Sequence, residues 1–174
     1  MIRTSTKINL QGFKEKYIPE VVLSEIEMMT INSIANLRGI GSRLLGVKDG
    51  KVSDKNGSQI DFEGLLGEYA FCKIFNLFYE ISPQPRSGSY DCIWNGKRTD
   101  IKSTTYQEGS LLGNINSNKD IDVYVLGIIE FRRSDVLIKF PGWLPSEELY
   151  YKSNLTYLNN NPVFQVRQSR LRTF

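Results

Sequence analysis

Two stretches of the chain carry apolar residues at helical spacing. In the first, Val22, Ile26, Met29 and Ala35 recur near every third or fourth position, which predicts a helix from Pro19 to Leu37. Proline suits a helix start, and Arg38-Gly39 supplies a glycine stop. In the second, Phe62, Leu65, Leu66, Tyr69, Ala70, Ile74 and Phe75 form a wide apolar stripe. This predicts a helix from Asp61 to Asn76, capped by Ser58 or Asp61. Between the two lies a polar, turn-rich loop, Asp49 to Ser58.

Strand signals dominate the remainder. Tyr90–Trp94 and Lys97–Ser103 flank the dipeptide Asn95-Gly96, the strongest short-range hairpin signal a sequence carries. Val123 to Phe131 (VYVLGIIEF) is apolar almost throughout, as a strand buried on both faces must be. After a turn over Arg132–Asp135, Val136–Phe140 is expected to pair back. Ser146-Glu147-Glu148 opens a short helix, and Val163–Arg167 reads as a last strand. Loops are expected at Ser82–Ser89 and, rich in Ser, Gly and Asn, at Thr104–Asp120; one of the second length is usually functional or disordered. The order of elements predicts an α/β fold with a mixed sheet, and 174 residues suffice for a single domain, 1–174, with its own core.

Composition then removes whole classes of chemistry. There is no histidine, so Ser-His-Asp and Cys-His hydrolases and HExxH zinc enzymes are excluded. Two cysteines, Cys72 and Cys92, make neither a zinc site by themselves nor a C-x-x-C pair. A metal would therefore be held by oxygen, which points to Mg²⁺, Mn²⁺ or Ca²⁺. The segment MIRTSTKINLQGFKEKY lacks the apolar run of a leader, and no stretch approaches membrane-spanning length. A cytoplasmic protein with reduced thiols and no membrane association is expected. With 22 Lys and Arg against 19 Asp and Glu, the net charge of +3 does not by itself mark a nucleic-acid binder.

The hairpin register concentrates the chemistry. With Asn95-Gly96 as a two-residue loop, Trp94 pairs with Lys97, Ile93 with Arg98 and Cys92 with Thr99. Asp91 is then expected opposite Asp100, with Lys102 on the Asp100 face. Carboxylates facing each other across strands repel, unless they hold something between them, and a hard divalent cation is the natural occupant. Lys102, one pleat away, could orient or deprotonate a water, or stabilise charge developing on a phosphate. Glu68, at the margin of the stripe on the second helix, could complete a metal shell. The plainer alternative is a solvent-facing hairpin with an ordinary Asp100–Lys102 surface pair.

Glu68 on a helix, Asp91, and Asp100-Ile101-Lys102 on a hairpin together resemble the PD-(D/E)xK nuclease superfamily, the restriction-endonuclease-like phosphodiesterases, with Tyr90 in place of the proline. The resemblance spans roughly Asp61 to Phe131. It implies a restriction-endonuclease-like mixed sheet flanked by helices, with residues 1–60 as an N-terminal helical extension, 61–140 as the nuclease-like core and 141–174 as a C-terminal extension. It implies Mg²⁺-dependent hydrolysis of phosphodiesters, in DNA first of all and by endonuclease action, with Mn²⁺ as a substitute metal. Asp91 and Asp100 would be metal ligands, Glu68 would bind the metal directly or through water, and Lys102 would position the attacking water.

Around that centre, Arg86, Ser103, Thr104 and Gln107 are candidate contacts to nucleic acid. Arg132-Arg133 and the tail residues Arg167, Arg170 and Arg172 read instead as a solvated face, Asp120-Ile121-Asp122 as caps at the start of the buried strand, and Trp94 and Trp143 as packing anchors. A homodimer through the first helix is compatible with its apolar positions. Two alternatives to the nuclease remain open: a non-catalytic nucleic-acid-binding or protein-interaction module on the same fold, and a hydrolase of small nucleotides.

Overall fold

The computed structural model describes residues 17–44, 57–82, 90–115 and 120–174. In chain order the elements are β1 (Glu20–Ser24), α1 (Glu25–Leu44), α2 (Gly57–Ile74), β2 (Cys92–Trp94), β3 (Lys97–Thr104), β4 (Leu111–Asn114), β5 (Val123–Phe131), β6 (Asp135–Pro145), α3 (Ser146–Leu149), β7 (Leu155–Leu158) and β8 (Asn161–Val166). Short 3₁₀ turns lie at Lys152–Asn154 and Gln168–Arg170. Five strands form a mixed sheet in the order β1-β6-β5-β3-β2, and three form a small antiparallel sheet in the order β4-β8-β7. Among the described residues, only the β3–β5 pairing is parallel.

The expected mixed α/β architecture is present, and β5 explains how its layers are arranged. Every residue from Val123 to Ile129 is buried. Val123, Val125 and Ile129 face a core shared with Ile31 and Ala35 of α1 and Leu65, Leu66, Ala70 and Phe71 of α2. Tyr124, Leu126 and Ile128 face a second core closed by Leu111, Leu149, Val166 and Leu171. The two long helices thus cover one face of the large sheet, while the small sheet and α3 cover the other. Burial on both faces is what the unbroken apolar run requires.

The N-terminal part differs from the expectation of a helical extension. The predicted helix from Pro19 is a strand first: Val21 and Leu23 are buried in alternation, and β1 pairs with β6 from Glu20↔Lys139 to Ser24↔Asp135. The pattern Val-Val-Leu satisfies both periods over so few residues, and the free edge of β6 decides between them. Residues 20–44 are therefore built into the sheet and its helical layer, rather than lying outside the core. The helix begins at Glu25 and runs through Gly39 to Leu44. Gly57 starts α2, so Ser58 and Asp61 lie inside it instead of capping it.

A capping box marks the switch from β1 to α1. Ser24 N and Oγ both donate to Glu27 Oε2 at 2.9 Å, and Glu27 N donates back to Ser24 Oγ at 3.4 Å. Glu27 also accepts from Tyr69 Oη at 2.9 Å and Lys73 Nζ at 2.5 Å, which ties α1 to α2. Burial opposes ionisation of Glu27, but Lys73 and the Ser24 and Tyr69 hydrogen bonds outweigh it and hold its pKa at about 2. A carboxylate depressed in this way contributes stability above its unfolded value near 4.5, and the contribution is lost as pH falls toward 2. Glu27→Gln should therefore cost on the order of 2–3 kcal/mol at pH 7. Urea titrations at pH 7, 4 and 2.5 should show the gap between variant and parent narrowing as the solution is acidified.

Elsewhere the expected strands are present, with β2 starting only at Cys92 and β6 running on to Pro145, and two strands are added, β4 and β7. Asn95 and Gly96 both take positive φ, 50° and 72°, the conformation of a type I′ hairpin turn. The polar connection Thr104–Asp120 is not structureless, because Leu111–Asn114 pairs with β8. Trp94 packs edge-on against Trp143 and Phe71, with Phe75 and Phe174 around it, so both tryptophans are packing anchors.

Candidate active site

The β2–β3 hairpin places the candidate residues. Its pairing, Trp94↔Lys97, Ile93↔Arg98 and Cys92↔Thr99, is the predicted register, but the regular ladder stops at Cys92. Asp91 is consequently not a paired residue facing Asp100. Its amide donates to Thr99 O at 2.9 Å, and its Oδ2 accepts from Ile101 N at 2.7 Å. That amide would meet a β2 carbonyl if the ladder continued. The carboxylate replaces the missing carbonyl, which holds it at the sheet margin beside β3.

Alternation along β3 separates its side chains. Ile101 belongs to the core beneath α1 and α2. Asp100, on the opposite face, is 1% exposed, and Lys102 Nζ lies 2.5 Å from its Oδ2. The pair is thus not a solvated surface pair, since one partner is inside the protein. The ammonium also lies over the Tyr124 ring, 6.0 Å from its centroid, and Tyr124 is the β5 residue registered with Asp100. Burial alone would lower the Lys102 pKa. Asp100 against it, together with the fields of Asp91 and Tyr150, raises it above the ordinary lysine value instead. At neutral pH Lys102 is an ammonium, suited to holding a water or a phosphate oxygen and not to removing a proton.

Glu68 comes from the helical side of the sheet, where α2 lies directly on β3. A Cβ at Gly67 would stand 1.8 Å from Ser103 Oγ and 3.0 Å from Ser103 Cβ, so the glycine lets the helix come this close while Ser103 keeps its place. One Glu68 oxygen, Oε2, is buried. The Cys72 hydrogen bond, burial, and the fields of Cys72, Asp91 and Glu68 together push the Cys92 thiol well above the usual thiol value, and it remains protonated. Asp91, at the margin, acts electrostatically on both Cys92 and Lys102 and so bridges the two faces.

The structure brings Asp91, Asp100 and Lys102 together, with Glu68 approaching from the helix layer. Among the described residues, no group of three or more Asp, Glu or Cys side chains is placed to share a metal ion. Mg²⁺, however, commonly takes only one or two protein carboxylates and completes its octahedron with water and substrate phosphate. Asp91 and Asp100 are a chemically suitable set of that kind, and direct ligation by Glu68 is not part of it.

The candidate nucleic-acid contacts separate from one another. Ser103 Oγ is buried beneath α2 at Gly67, which gives it a packing position and not a phosphate-facing one. Thr104 lies on the Asp100–Lys102 face by alternation, and its Oγ1 accepts from Tyr106 N at 3.2 Å. Gln107 is exposed, and its carbonyl accepts from Gln168 Nε2 at 2.7 Å. Arg86 lies outside the described residues. The tail arginines Arg170 and Arg172 are structural: Arg170 Nη1 donates to Asn154 Oδ1 at 3.0 Å, and Arg172 pairs with Glu148 and lies over Trp143. Asp122 secures the start of the parallel β3–β5 pairing. It accepts from Arg98 N at 2.8 Å and Arg98 Nη2 at 2.9 Å, and these bonds hold its pKa at about 2.

Two residues at this site carried no signal in the sequence. Tyr124 and Tyr150 belong to elements far apart along the chain, and only the folding of α3 and the small sheet over β5 brings their hydroxyls within 3.2 Å. No family model, curated protein or solved structure matches the chain. No helix among the described residues is long and apolar enough to cross a membrane.

Proposed function

We propose that the chain is a metal-dependent phosphodiesterase acting on DNA, an endonuclease of the PD-(D/E)xK kind on a restriction-endonuclease-like sheet. The observation that carries this reading is the buried Asp100 paired with Lys102 on β3, with the Asp91 carboxylate fixed at the adjacent margin by the Ile101 amide. The Asp100 carboxylate, 1% exposed, costs several kcal/mol to desolvate, a cost that an apolar residue in a purely structural hairpin would avoid. Asp91 and Asp100 would hold Mg²⁺ or Mn²⁺, which lowers the pKa of a bound water and neutralises charge on the reacting phosphate. The Lys102 ammonium holds the water or a phosphate oxygen in line, and Asp100 fixes the direction of that ammonium. Self-association belongs to the same reading, supported by the exposed Ile26, Met29, Leu37 and Ile40 on α1.

Supercoiled, linear, single-stranded and branched DNA, each incubated with Mg²⁺, Mn²⁺ or EDTA, tests the proposal. Cleavage is expected only with metal, and Asp100→Asn should reduce it by about a thousandfold, the scale of losing one preorganised charged group at a reacting phosphate. The absence of a three-acid cluster among the described residues favours one competing reading, a non-catalytic binding module. A metal-independent gel shift with every DNA form left intact would establish that reading in its place.

A further inference from the structure

The side of the site formed by β5, α3 and the small sheet carries a tyrosine held too specifically for general packing. Tyr150 follows α3, where its amide donates to Ser146 O at 3.1 Å. Its ring meets Tyr124 edge-on at 5.8 Å and Phe164 edge-on at 5.0 Å. A Cβ at Gly113 would approach its ring carbons at 3.1 and 3.2 Å, so β4 leaves room for the ring by having no side chain there. Three elements thus fix the ring plane. The Tyr150 hydroxyl lies 3.2 Å from that of Tyr124, whose own ring lies under Lys102 Nζ. Tyr124 is 1% exposed, whereas Tyr150 is only partly buried. One hydroxyl is therefore enclosed, and the other belongs to a ring that solvent and ligand can reach.

We propose that Tyr150 is a substrate-contacting residue whose hydroxyl donates to a non-bridging phosphate oxygen beside Lys102, and that Tyr124 is the positioning residue that orients it. The inference rests on the phosphodiesterase reading of the Asp91–Asp100–Lys102 centre and adds a neutral donor on its opposite wall. A hydroxyl accepts from one partner while it donates to another. The buried Tyr124 hydroxyl can therefore give its proton to Tyr150 and leave the Tyr150 proton for the substrate. A rigid ring supplies that donor at little entropic cost, because few rotors have to be frozen.

Tyr150→Phe removes the donor and keeps the ring. Hydrogen bonds to charged groups contribute on a scale that corresponds to roughly a ten- to hundredfold change. The variant should lose that factor in kcat/KM for Mg²⁺-dependent cleavage and bind a fluorescein-labelled oligonucleotide in Ca²⁺ at least fivefold more weakly, while its melting temperature falls by only a few degrees as the enclosed Tyr124 hydroxyl loses an acceptor. Tyr124→Phe should lose less, about three- to tenfold, chiefly in kcat. Wild-type cleavage and affinity in Tyr150→Phe, beside an inactive Asp100→Asn, would overturn this inference and leave the phosphodiesterase reading intact. If the wild type binds the oligonucleotide without cleaving it, the catalytic reading falls and the affinity of Tyr150→Phe alone decides the contact. If the wild type neither cleaves nor binds, both are refuted.

Discussion

Lys102→Met should abolish metal-dependent DNA cleavage and also lower stability by about 2 kcal/mol, whereas the double variant Asp100→Asn/Lys102→Met should regain most of the stability and none of the activity. The asymmetry follows from burial. Asp100 is 1% exposed, while the Lys102 side chain is 39% exposed. Removing the lysine leaves a carboxylate inside the protein without its counter-ion, and breaking a buried pair from one side typically costs about 3–5 kcal/mol. Water reaching the open side of Lys102 reduces that figure here. Replacing both partners removes the charge and the penalty together, as the energetics of buried pairs require. Activity follows a different rule, since neither an amide nor a thioether restores a cation beside the phosphate. Urea melts of the two single variants and the double variant, with plasmid nicking followed in parallel, give the full cycle. A Lys102→Met protein as stable and as active as its parent would show that the pair is neither buried nor catalytic in effect.

How much of this was readable beforehand depended on how local each determinant is. The hairpin register was legible because Asn95-Gly96 fixes it through two positive φ angles. Helix α2 was legible because its stripe is long, and β5 because burial on both faces leaves no polar position to confuse its period. The position of Asp91 was not legible. Whether a strand continues or ends by turning a carboxylate onto the partner's amide is decided by one hydrogen bond, and alternation cannot report it. Strand β1 was hidden because Val21–Leu23 is too short to separate a period of two from one of 3.6. Strand β4 was hidden because Leu111–Asn114 exists as a strand only through β8, about fifty residues later. The second wall of the site, Tyr124 with Tyr150, depends on that same late sheet, so a motif confined to residues 61–131 contained Tyr124 but not the Tyr150 that completes the wall.

Two glycines one turn apart in α2 should respond in opposite directions to the same substitution. At Gly64 a Cβ would meet nothing within 4 Å, so Gly64→Ala should gain most of the helix-propensity difference, about 0.5–1 kcal/mol. At Gly67 the new carbon would lie 1.8 Å from Ser103 Oγ and 3.0 Å from Ser103 Cβ. The hydroxyl can rotate away, but the Ser103 Cβ is fixed to β3 and its 3.0 Å contact remains. Either α2 lifts from the sheet or β3 bends. Overpacking of this kind costs about 1–3 kcal/mol for one methyl group and more for a branched side chain. Gly67→Ala should therefore be destabilised by about 1–2 kcal/mol after its propensity gain, and Gly67→Val by more than about 3 kcal/mol. Ser103→Ala should rescue Gly67→Ala, because it removes the severe overlap and leaves only the 3.0 Å contact. The same Ser103→Ala single variant should bind and cleave DNA as the parent does, since its hydroxyl is enclosed beneath α2. Denaturant midpoints for the four stability variants and one DNA-binding isotherm decide the matter. If Gly67→Ala proved as stable as Gly64→Ala, α2 would not lie against β3 as described, and the route by which Glu68 approaches the acid–lysine centre would be lost with that contact.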